Sequence, residues 1–223
     1  MAMFSLFKKK KEYPKFWTDY QNKFKTNPPE TIEENSFVVF DTETTGLDLK
    51  KDRILSIGAL KVQGKTIEVA NIFERYINQS TFNPETVAIH GIIKNDLNPN
   101  TTEEDAIIEF LEYIGNSVLV AHHIAFDVGM INKVLHRMGL PRLKNKTLDT
   151  MLLYRASRIN SNLIDKERNY SLDELAENLN ISLKDRHTAA GDAYITAIAF
   201  LKIVSRVSNQ KNGRLKDLIR LNR

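Results

Sequence analysis

Cysteine is absent from all 223 residues, which excludes disulfides and thiolate zinc sites. Long apolar runs are absent too. Phe4-Ser5-Leu6-Phe7 breaks off at the lysines Lys8 to Lys11, too short for the core of a signal peptide, and nothing later reads as a membrane span. Together these gaps predict a cytoplasmic protein with no membrane contact. Neither charge sign dominates: the formal net charge of +4 suits a polyanionic partner without implying one. Internal repeats are missing, and so are low-complexity tracts apart from the lysine run. With 42% of its residues apolar, the chain has enough hydrophobic material for one full-sized core.

What is present begins at Phe37-Val38-Val39-Phe40-Asp41-Thr42-Glu43-Thr44-Thr45-Gly46-Leu47. Four apolar residues in a row read as a strand buried on both faces, and period-2 geometry sets Asp41 and Glu43 on one side at its exit. Two such carboxylates repel each other. A divalent cation held by oxygen ligands relieves that repulsion, so the run reads as half of a magnesium or manganese site. The pair alone is a weak signal: Asp165-Lys166-Glu167 has the same spacing, but no strand precedes it and it reads as a solvated loop.

Two more carboxylates stand in similar settings. Ser117-Val118-Leu119-Val120-Ala121 reads as a second buried strand, and His122-His123-Ile124-Ala125-Phe126-Asp127 leads from it into a helix carrying Val128, Met130, Ile131, Val134 and Leu135. Such strand-to-helix loops are where α/β folds place ligand groups, although Asp127 taken singly reads first as a helix-start acid favoured by the dipole. The third element, Arg186-His187-Thr188-Ala189-Ala190-Gly191-Asp192-Ala193, opens a long helix with Ala189, Ala193, Ala197 and Leu201 every four residues. From a helix start near Thr188, His187 and Asp192 face the same edge of the domain. The small residues Ala189, Ala190 and Gly191 permit close approach of a neighbouring strand or a substrate.

Asp41-x-Glu43, then Asp127 in Ala-His-x-x-Phe-Asp, then His187-x4-Asp192 resemble the three motifs of the DEDDh group of 3′–5′ exonucleases, the family that includes the proofreading epsilon subunit of bacterial replicases. The resemblance runs from Ser36 to Val204, and Ile89-His90-Gly91-Ile92 and Tyr170-Ser171-Leu172-Asp173-Glu174-Leu175 look like its intervening signatures. His123 departs from it, since many members carry Asn there. The resemblance implies that Asp41, Glu43, Asp127 and Asp192 hold two Mg2+ or Mn2+ ions about 3.5–4 Å apart. By it, Asp41 bridges them, Glu43 and Asp192 serve the ion that activates water, and Asp127 holds the other. His187 is the candidate general base, because an imidazole has the unperturbed pKa nearest the working pH. Thr44, Gly46 and Leu47 are implied to contact the terminal nucleotide, with His90 and Phe126 lining the pocket. Beside this, Phe126 also reads as a core aromatic, and Thr44 to Gly46 as residues that merely shape the turn. The implied partner is nucleic acid with a free single-stranded 3′ end, DNA favoured over RNA, cut to nucleoside monophosphates in proofreading or repair. Two alternatives stay open: an RNA-trimming exoribonuclease of the same fold, and a non-catalytic nucleic-acid-binding or polymerase-associated module.

The remaining pattern predicts an α/β fold of the ribonuclease H-like kind, a mixed five-stranded sheet flanked by helices. Its first three strands (Ser36 to Asp41, Ile54 to Val62, Thr66 to Tyr76) form an antiparallel meander turned at Gln63-Gly64-Lys65. Strands at Val118 to Ala121 and near Thr147 to Asp149 complete it. Thr101-x-x-Glu104 and Ser171-x-x-Glu174 read as capping boxes, and further helices start at Asp127, Asp149 and Thr188. The organisation expected is an N-terminal basic and aromatic-helix extension over 1–34, an exonuclease domain over 35–207 and a short basic C-terminal tail over 208–223. Within the extension, Phe16, Trp17, Tyr20 and Phe24 form one helical face, which docks on its own domain or in the groove of a protein partner. Leu215, Leu218 and Ile219 form a second short apolar face with the same two options.

Overall fold

The computed structural model describes residues 12–79, 86–87, 91–92, 101–158, 168–208 and 213–222. Lys8 to Lys11, His90 and Asp165-Lys166-Glu167, which the sequence reads as a solvated loop, lie outside the described residues.

Strands β1 (Ser36–Thr44), β2 (Ile54–Gln63) and β3 (Thr66–Tyr76) form an antiparallel meander. Strands β4 (Val118–Ala121) and β5 (Thr147–Asp149) add in parallel on the other side of β1, giving the order β3-β2-β1-β4-β5. This is the mixed, ribonuclease H-like sheet that the sequence predicts. Its central strands are apolar in unbroken runs because both faces are covered. Phe37 and Val39 point into one core with Val118 and Val120, while Val38 and Phe40 point into the other with Leu119 and Ala121.

Helices α1 (Lys15–Asn22), α2 (Glu103–Ile114) and α3 (Ala125–Arg137) cover the second of these faces. The first is covered by α4 (Thr150–Ser157), α5 (Leu172–Asn178), α6 (Ala189–Ser208) and α7 (Leu215–Leu221). Ser171 and Glu174 form the capping box expected at α5. At α2 the expectation is off by one residue: Thr102, not Thr101, is the cap and accepts from the Asp105 N–H, so the acid three residues on is Asp105. Among the described residues no helix is long and apolar enough to cross a membrane.

The structure decides between the two fates of the aromatic stripe. Trp17 and Tyr20 are fully buried in the same core cluster as Phe110 and Ile114. Tyr20 donates to Asn145 Oδ1 at 2.6 Å and accepts from the Lys144 N–H at 2.8 Å. Of the two options, docking on its own domain is the one the structure shows: two large rings gain more from burial at home than from waiting in water. Leu215 and Leu218 of α7 are likewise buried in the chain's own core, and the helix is anchored where the Ile32 N–H donates to the Gly213 carbonyl at 2.8 Å.

Candidate active site

The carboxylates assemble where the sheet's central strand meets the start of its longest helix. Asp41 stands on β1 opposite Gly58 of β2, and a β-carbon at Gly58 would collide with the Ala189–Ala190 backbone of α6. The missing side chain and the small Ala189-Ala190 pair let α6 lie directly against the sheet. Asp192, in the first turn of that helix, is thereby carried to the end of β1. Carboxylate oxygens of Asp41, Glu43 and Asp192 all lie within 4.8 Å of one another. Asp127, in the first turn of α3, is buried and turned onto β1: its Oδ1 accepts from the Thr42 N–H at 3.1 Å and the Thr42 hydroxyl at 2.7 Å. It stands outside the tight group of three, yet close enough to repel Asp41.

Crowding shows in the electrostatics. Burial, reinforced by the charges of Asp127, Glu43 and Asp192, pushes the Asp41 carboxyl well above the usual carboxylate range. Glu43 is pushed up to about 7 by burial and by Asp192. Asp127 also rises to about 7, because burial outweighs its bonds from Thr42. Burial raises Asp192 against the opposing pull of Arg186. Four carboxyls that resist ionisation for want of counter-charge, with oxygen-only donors, fit hard divalent cations such as Mg2+ or Mn2+.

His187 lies just before α6, exposed, with φ at 68° in the left-handed region. Its backbone N–H donates to Asp192 Oδ1 at 3.2 Å, so the loop that presents the imidazole also braces the carboxylate. Non-glycine residues held at positive φ persist where surrounding bonds over-determine them, often at functional sites. His123 takes the same conformation at 60°. The left-handed region favours Asn, which accounts for the residue usual in the family and shows that His is accommodated without rebuilding the turn. His122 is held inside by Thr150 Oγ1 at 3.0 Å and the Tyr170 carbonyl at 2.8 Å.

The turn after β1 is built by a residue that the motifs do not mention. Asp52 accepts from the Thr45 hydroxyl and the Asp48 N–H, both at 2.8 Å. Thr44 Oγ1 donates to the Gly46 carbonyl at 2.8 Å, and Thr45 N–H to the Arg53 carbonyl at 2.9 Å. Leu47, in this braced turn, has 83% of its surface exposed. Phe126 is half-buried against the α3-side core.

Sequence patterns do not single out Arg186, Gly58 or Asp52. Gly58 carries a usable signal, since an isolated glycine inside an apolar strand marks close backbone approach. Arg186 carries none, because an arginine beside a motif looks like any surface arginine. In the fold its Nη1 bonds Asp192 Oδ2, and its Nε donates to Asp173 Oδ1 at 2.6 Å.

A ribonuclease H-like sheet with buried and half-buried carboxylates gathered at the exit of its first strand has the architecture of the metal-dependent nucleases. Within that class the chain belongs to the DnaQ-like DEDDh exonuclease family: the family model described as exonuclease, RNase T, matches residues 38–200. The chain is 38% identical over 165 residues to DNA polymerase III PolC-type of Clostridium perfringens, covering 74% of this chain and 11% of that protein. The same polymerase of Caldanaerobacter subterraneus subsp. tengcongensis is 35% identical over 183 residues, 82% of this chain and 12% of that one. The chain thus spans only about a ninth of the length of these curated relatives. Among solved structures, exonuclease X in complex with 5′ overhanging duplex DNA superimposes with a TM-score of 0.61 at 24% identity, covering 82% of this chain and 99% of that one. E. coli exonuclease I in complex with a dA16 oligonucleotide gives 0.63 at 17% identity, covering 83% and 42%. These two likenesses concern the fold.

Proposed function

We propose that the chain is a metal-dependent 3′–5′ exonuclease that hydrolyses single-stranded DNA from its 3′ end to nucleoside monophosphates, in proofreading or repair. The observation that carries the reading is the convergence of Asp41, Glu43 and Asp192 within 4.8 Å, next to an outward-held Leu47. In it, Asp41, Glu43 and Asp192 hold Mg2+ or Mn2+, and Asp127, fixed by Thr42, completes the set for a second ion. Two such ions would supply a water of lowered pKa and positive charge for the leaving 3′ oxygen. His187 takes the proton of the attacking water; its exposed position on the loop before α6 leaves the imidazole open to solvent for returning it. Leu47 stacks against the terminal base, the Thr44 and Gly46 turn sets its height, and Phe126 and His90 bound the nucleotide. The cysteine-free composition supports a cytoplasmic place of work.

The test is direct. Matched 5′-labelled DNA and RNA oligonucleotides are incubated with Mg2+ or Mn2+ and products are sized at single-nucleotide resolution. A ladder shortening from the 3′ end, faster on DNA and abolished by EDTA, is the expected result. Cleavage of a covalently closed single-stranded circle, or an RNA ladder that outpaces DNA, overturns the direction or the substrate.

A further inference from the structure

Arg186 has no role in the chemistry above, yet among the described residues it is the cation bonded to the carboxylate cluster. Its side chain is only 19% exposed, and it forks between two acids of opposite character. One is Asp192, in the cluster, with a side chain 8% exposed. The other is Asp173 at the start of α5, 53% exposed and outside the cluster. The guanidinium is charged at any working pH. An always-charged group with several donors in a planar fork is suited to hold two carboxylates at once and to release one without losing the other.

We propose that Arg186 is an internal counter-ion for the metal-free site, a positioning residue that competes with the divalent ions for Asp192 and shifts its weight onto Asp173 when they bind. The inference rests on the metal-site reading above. Its physical basis is the fork itself: one guanidinium bonds an acid of the cluster and an acid outside it, so positive charge already stands where the ions would bind. The same charge that stabilises the empty cluster opposes a second cation there. Asp173 supplies the alternative seat.

The competition gives opposite signs to two variants. Calorimetric titration of the full chain with Mn2+ alone, without nucleic acid, reads affinity independently of activity. Arg186→Gln should bind Mn2+ about tenfold more tightly, within the range that partners of metal ligands exert, while its metal-free Tm falls. Asp173→Asn leaves Arg186 wholly on Asp192 and should weaken Mn2+ binding about threefold. Asp185→Asn removes the same charge from a neighbouring exposed residue and should stay within about twofold of wild type. If Arg186→Gln binds Mn2+ equally or more weakly, Arg186 braces Asp192 rather than competing for it, and the proposal falls. Should that variant fail to fold, Asp173→Asn decides: unchanged or tighter binding overturns the proposal. Wild-type protein that takes up no Mn2+ would instead sink the metal-site reading itself.

Discussion

Asp41 bears the heaviest crowding in the site, with burial and three neighbouring carboxylates all opposing its charge. Asp41→Asn and Asp192→Asn should each abolish hydrolysis while leaving the protein folded, checked by turnover and circular dichroism; near-wild-type turnover in Mg2+ by either would refute the two-metal assignment. The crowding also has a pH signature. A carboxyl whose folded pKa lies above its unfolded one binds more protons when folded, so stability is lost as pH rises between the two values. For Glu43 and Asp127 that window ends at about 7. His122, held down to about 4 by burial, acts with the opposite sign, but it is common to wild type and variant. The Tm of metal-free Asp41→Asn should therefore draw ahead of wild type as pH rises from about 5 to about 8, and a gap that is flat across this range counts against the crowding. His187→Ala should cut kcat by about 10²–10⁴-fold with Mn2+ affinity little changed. A variant that keeps the wild-type rate removes His187 from the mechanism.

At the scale of elements, Gly58 decides how near α6 can come to β2. Gly58→Ala forces a β-carbon into the Ala189–Ala190 backbone, so the helix or the strand must move. The expected cost is about 1–3 kcal/mol or more, the usual penalty for overpacking, with Mn2+ affinity falling as Asp192 is displaced. Urea denaturation and metal titration check the two halves, and a variant with wild-type stability would show that α6 has slack. The strands were legible because their signals are local: the unbroken Phe37-Val38-Val39-Phe40 run declares two buried faces, and Gln63-Gly64-Lys65 declares a turn. The carboxylates were legible because each follows such a strand or opens a helix. Arg186 was not, since its significance depends on α5 lying beside α6, a long-range fact with no local signature. Asp52 escaped for a different reason: its bonds to the Thr45 hydroxyl and the Asp48 N–H are local, but an acid in a polar turn looks like any solvated one. The α2 cap slipped by one residue because Thr101 and Thr102 are chemically equivalent and only the chain's entry angle chooses between them.

On the scale of the molecule, α1 belongs energetically to the sheet it covers, although a stretch without regular secondary structure separates it from β1. Trp17→Ala should cost about 3–5 kcal/mol, the scale for deleting a large buried aromatic, read as a shift of the urea midpoint; an unchanged midpoint would mean that the aromatic face contributes nothing to the fold. The seating of α6 on Gly58 has a further consequence, in the order of events during synthesis. Asp41 and Glu43 are translated first, and their third companion arrives on a helix that begins at Ala189, about 150 positions later. Closing so long a loop is slow compared with local pairing, and the helix needs its full length to grip the sheet. A nascent chain that has made only the meander therefore carries a pair of acids and no completed cluster, and the three carboxylates can meet only after α6 has been translated.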